Sequence, residues 1–87
     1  MSTVYIPAPL RRLTGGIDRA EASGQTVGEL IDDLEARFPG LRAAFVENGN
    51  LVPHLAVSVD DVVASAGLDE PVAPESEVHF VPPLGGG

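Results

Sequence analysis

A chain of 87 residues makes one domain, close to the lower size at which a single core holds without staples. Thirteen acidic and five basic side chains give a formal charge of −8, which disfavours phosphate backbones and anionic membranes as partners. Cysteine is absent, which excludes disulfides, thiolate metal sites and a cysteine nucleophile.

In chain order, "TVYIP" (3–7) alternates Val4 and Ile6 against Tyr5 and reads as a strand closed by Pro7. "LTGGI" supplies a Gly-Gly turn, and "IDRAEAS" reads as a weaker return strand with Ala20 and Ala22 inward. "TVGE" at 26–29 fits a capping box, opening a helix whose Val27, Leu30, Ile31, Leu34 and Phe38 form one apolar stripe. Asp32, Asp33, Glu35 and Arg37 take the wet side, with Asp33 and Arg37 spaced for a weak pair. Pro39-Gly40 ends the helix, and Gly28 in its first turn implies close approach of a neighbouring strand. "GLRAAFV" reads as a further helical turn and "ENGN" as a tight turn. "HLAVSVD" (54–60) places Leu55, Val57 and Val59 inward and His54, Ala56 and Ser58 outward. Residues 60–76 are turn-rich with one short edge strand, Asp60-Asp61 serving the turn. "EVHFVPP" is the last strand, with Val78 and Phe80 inward. Strand pair, helix, strand, irregular crossover and strand suit an α+β domain.

Self-contained chemistry is hard to find. No nucleotide-binding loop or GxSxG elbow is present, and a Walker loop is excluded because every basic residue is an arginine (11, 12, 19, 37 and 42). His54 and His79 are the only imidazoles and would approach each other if their strands pair; without a third ligand they read as surface histidines, and no metal is expected. No apolar run nears the roughly 20 residues of a membrane span, and the first residues lack a signal pattern, so the expectation is a soluble cytoplasmic protein.

The ending "FVPPLGGG" is different. Pro82 and Pro83 stop the strand and stiffen an extended lead, Leu84 offers an anchor, and Gly85, Gly86 and Gly87 make a thread thin enough for a narrow channel. The expected division is a folded domain over 1–81 and an extended, flexible tail over 82–87. A terminal carboxylate, with a pKa of about 3.5, is a poor electrophile at neutral pH. Adenylylation by ATP would give it a leaving group, and sulfur could then displace AMP to leave a thiocarboxylate. The absence of lysine fits coding bias toward arginine, and equally a chain lacking side-chain amines to capture an activated acyl group. A floppy tail or a cloning scar is the plain alternative.

"TVGELIDDLEARFPGLR", "PHLAVSVDD" and "GLDEPVAPESEVHFVPPLGGG" together resemble the ThiS/MoaD family of ubiquitin-like sulfur carriers across nearly the whole chain. The opening "IPAPLRRLTGG" and the length resemble the MoaD and CysO types most. The resemblance implies a β-grasp fold, a mixed sheet of four to five strands with one main helix across one face. It implies adenylylation and thiocarboxylation at Gly87, with Pro83, Leu84, Gly85 and Gly86 inserted into a partner; the family more often has Ala or Ser where Gly85 stands. No bound cofactor is implied. ATP with its magnesium would be used by a ubiquitin-activating-type adenylyltransferase, and sulfur would pass to an acceptor such as a cysteine synthase-like enzyme or the large subunit of molybdopterin synthase. Tyr5, His79 and Val81 are the candidates for a partner-docking face, or they merely cover the sheet. A subunit of molybdopterin synthase, a protein modifier joined to lysines and an inert interaction domain are the competing readings.

Overall fold

The computed structural model describes residues 1–81; residues 82–87, where the sequence reading puts the tail, lie outside the described residues. Strand β1 (Ser2–Tyr5) buries Ser2 and Val4 and leaves Thr3 and Tyr5 half-buried, the alternation expected from the sequence. A 3-10 helix over Ala8–Leu13 follows, which the sequence reading did not anticipate. Its six residues are too few for a 3.6-residue stripe to show; Arg11 ties it to β1 by donating from Nε to the Ile6 carbonyl at 3.0 Å. Gly15 and Gly16 turn the chain with positive φ, and β2 (Arg19–Ala22) returns antiparallel to β1.

Helix α1 (Val27–Arg37) begins where Thr26 Oγ1 accepts from the Glu29 N–H at 3.2 Å. The Glu29 carboxylate reaches one residue further back than a standard capping box, accepting from the Gln25 N–H at 2.8 Å. Val27, Leu30, Ile31 and Leu34 are fully buried, while Phe38 sits half-buried at the C-cap. The close approach at Gly28 is real, but its neighbour is not a strand. A Cβ there would lie 3.2 Å from the carbonyl oxygen of Leu68, in the 3-10 turn Gly67–Asp69.

Helix α2 (Leu41–Phe45) is nucleated from α1, because Glu35 accepts from the N–H groups of Arg42 (2.8 Å) and Gly40 (3.0 Å). Those two bonds, with the charge of Arg42, hold the Glu35 carboxyl below its ordinary range. The expected turn at 47–50 joins two short strands, β3 (Val46–Glu47) and β4 (Asn50–Leu51), through Asn48 and Gly49, both with positive φ.

Strands β5 (Ala56–Val59), β6 (Val62–Val63) and β7 (Glu77–Val81) complete a sheet of order β2-β1-β7-β5-β6. Only β1 and β7 run parallel, so the sheet is mixed, and α1 covers one face. The α1 stripe packs into a cluster with Val4, Ile6, Val57 and Val78, and Phe45 stacks on Phe80 at 4.2 Å between centroids. Ser58, expected to face solvent, is 9% exposed: it does face away from α1, but lies between its strand neighbours His79 and Val63.

The turn at Asp60-Asp61 also fastens β5 to the start of β7. Both residues have positive φ, and the Asp60 carboxylate accepts from the Ser76 hydroxyl (2.8 Å) and the Glu77 N–H (2.9 Å). Ser76, 2% exposed, accepts in turn from the Ala73 N–H at 2.9 Å, while the Ser2 hydroxyl donates to the Ala73 carbonyl. The Glu77 and Ser76 donors hold the Asp60 carboxyl below its ordinary range. Stability from this ion is therefore present above the unfolded-state value, about 4, and is lost as pH falls through the lower native value. Asp60→Asn is expected to lower Tm at pH 7, with the gap to the parent closing as thermal melts are repeated at increasingly acid pH. Ser76→Ala, which orphans the Ala73 N–H, is expected to cost about 1–3 kcal/mol in urea unfolding.

Candidate functional site

The strand register places the candidate site on the sheet face opposite α1. Residues directly opposed across a ladder share a face, so Arg19, Tyr5, His79, Ser58 and Val63 form one row across all five strands. Within it the rings of Tyr5 and His79 stack at 4.1 Å between centroids and 7° between planes. Val81, paired with Ala56, continues the same face along β7. Tyr5, His79 and Val81 are each half-buried, so the three residues named from alternation do form one accessible patch.

A second row, Glu21, Thr3 and Glu77, lies nearer the start of β7. Glu77 Oε1 stands 3.9 Å from His79 Nε2. Arg19 therefore lies level with His79, midway along β7, and carboxylates mark the end where β7 begins. A shallow depression of about 520 Å³ beside Tyr5 is lined by Thr3, Arg19, Ala20 and Glu21. Sequence reasoning passed over Arg19, although the alternation of "RAEA" put it on this face once Ala20 and Ala22 were assigned inward.

The two histidines do not meet. Strands β5 and β7 pair, yet His79 opposes Ser58, while His54 precedes β5 and is exposed. Among the described residues no three His, Asp or Glu side chains are grouped to hold a metal ion, and no helix is long and apolar enough to cross a membrane. Pro83, Leu84, Gly85, Gly86 and Gly87, the residues expected to enter a partner and be modified, lie outside the described residues. What the structure fixes is their point of departure. Strand β7 is central, held by β1 on one side and β5 on the other, and is described to Val81 beside the Tyr5–His79 patch.

The ThiS family model matches residues 4–87. The sulfur carrier protein CysO of Mycobacterium tuberculosis is 37% identical over 90 aligned positions, covering 98% of this chain and 97% of that protein. Small archaeal modifier protein 3 of Haloferax volcanii is 33% identical over 64 positions, covering 71% and 70% respectively. Among solved structures, a chain of the Amycolatopsis orientalis BexX/CysO complex superposes with a TM-score of 0.90 at 38% identity, covering all of both chains. That likeness confirms the β-grasp architecture of a mixed five-stranded sheet and a helix.

The stack of Tyr5 on His79 is expected to rigidify this face without holding the fold together. Tyr5→Ala, His79→Ala and the double variant are expected to show a coupling of about 0.5–1.5 kcal/mol in a urea-unfolding cycle, with all three folded.

Proposed function

The chain belongs to the ThiS family, and from that membership we propose that it is a ubiquitin-like sulfur carrier whose Gly87 is the group activated and loaded. The observation that carries this reading is the end-to-end likeness to a protein named as a sulfur carrier, together with a family match that runs through the final glycines.

In the proposed reaction a carboxylate oxygen of Gly87 attacks the α-phosphorus of ATP, held with its magnesium by the activating partner, and pyrophosphate leaves. The resulting acyl-adenylate has a weak acyl–oxygen bond. A sulfide-level donor attacks the carbonyl carbon, that bond breaks, AMP departs, and the terminus becomes a thiocarboxylate. Transfer of its sulfur to an acceptor, with water supplying the replacement oxygen, returns the carboxylate. The chain itself is a protein cosubstrate in this scheme. Its body offers the Tyr5, His79 and Val81 patch as a handle, while Pro83 and Leu84 lead Gly85 and Gly86 into the partner's site.

The Amycolatopsis relative forms a complex with BexX, which supports the expectation of a protein partner here. The acceptor's class, whether a cysteine synthase-like enzyme, the large subunit of molybdopterin synthase or another, is decided by which one consumes the thiocarboxylate. A second reading, conjugation to lysines of other proteins, is favoured by the likeness to an archaeal modifier and uses the same activated terminus.

The test is the intact mass after incubation with ATP, a sulfide source and a ubiquitin-activating-type adenylyltransferase from the same organism. The expected result is one oxygen exchanged for one sulfur, seen in the parent and absent in a chain lacking Gly87. An unchanged mass alongside an adenylyltransferase proven active on another carrier would return the chain to the class of plain binding domains. With that enzyme, Tyr5→Ala is expected to raise KM for the carrier about tenfold, equivalent to about 1.4 kcal/mol, with little change in kcat.

A further inference from the structure

The outer edge of β2 carries an interaction that the proposed chemistry does not use. Ile6 N–H donates to the Asp18 carbonyl at 2.8 Å, one step beyond the β1–β2 ladder. Antiparallel pairs alternate between bonded and non-bonded, so Val4–Ala20 and Ser2–Ala22 are the bonded pairs, and the main-chain groups of Arg19 and Glu21 point away from β1. An edge of this kind is a template for another strand.

Helix α1 covers that template with an ion pair. Arg37 donates from Nη2 to the outward carbonyl of Glu21, and Asp33 Oδ2 accepts from the N–H of Ser23 at 3.0 Å, the next outward position. Arg37 and Asp33 also bridge each other at 3.5 Å. One cation and one anion, four residues apart on a helix, thus satisfy one acceptor and one donor of the same edge.

The covered segment is complementary to itself. If two copies of β2 pair antiparallel about a two-fold axis through Ala20, Arg19 of each lies opposite Glu21 of the other. Those are the residues whose main-chain groups point outward, so the same register forms the hydrogen bonds and two cross-strand ion pairs on the Tyr5 face. Ala20, at the axis, presents only a methyl group to its copy. Such an interface is isologous and closes at two chains. We propose that the β2 edge is a pairing site for a second copy of this chain, held shut in the single chain by Arg37 and Asp33.

Sedimentation at one fixed millimolar concentration tests this. The parent is expected at the single-chain mass of 9.0 kDa, and Arg37→Ala at twice that mass. Adding Glu21→Arg to Arg37→Ala sets arginine against arginine and is expected to return the single-chain mass. Adding Arg19→Glu as well restores opposite charges and is expected to double the mass again. A parent already paired, an unpaired Arg37→Ala chain, or pairing indifferent to the charge of residue 21 would each overturn the proposal. The three variants alter exposed side chains only, and circular dichroism of each checks that the fold is kept.

Discussion

The structure depends on the insertion of β7 between β1 and β5. This strand is the last of the described ones, and it forms a parallel ladder with the first strand on one side and an antiparallel ladder with β5 on the other. Without it the sheet is two separate hairpins, with no strand between β1 and β5. Its inward residues, Val78 and Phe80, then bridge β1, β5, α1 and the Phe45 ring. Pairing the first and last described strands closes a long loop, an entropic cost that apolar burial against α1 offsets.

Around that strand, carboxylates do structural rather than catalytic work. Asp60 fixes the start of β7 to the β5–β6 turn, Glu35 starts α2, and Glu29 caps α1. Each accepts from backbone N–H groups that would otherwise lack partners at a turn or helix end. Part of the excess negative charge is thus consumed in holding the fold. What remains on the sheet face is sorted by strand register, with Arg19 beside Tyr5 and His79 and the glutamates further back.

The helix and the long strands were legible because their signals are periodic: the α1 stripe, the alternation in β1 and β7, and the two glycines of the first turn. The Tyr5, His79 and Val81 patch was legible for the same reason, since alternation alone assigns a face. Elements set by contacts distant in sequence were not. The 3-10 helix at Ala8–Leu13 packs against α2, and the neighbour of Gly28 is Leu68, forty positions away. Ser58 reads as an outward polar residue, and is covered only because β6 and β7 flank it. Asp33 and Arg37 read as an ordinary helix pair, yet both reach across to the β2 edge. The tail is the reverse case: its proposed chemistry is read from the composition of residues 82–87 alone, and the described fold contributes the strand that precedes them, β7.

In the proposed function one face of the sheet acts as the handle for a reactive terminus. Titrating an isotope-labelled chain with its adenylyltransferase, and following backbone amide signals, tests it most directly. Broadening or shifts are expected at Thr3, Tyr5, His79 and Val81 and at the final glycines, with the outer surface of α1, at Asp32 and Ala36, unchanged. Shifts concentrated on α1 with the Tyr5–His79 row silent would contradict it.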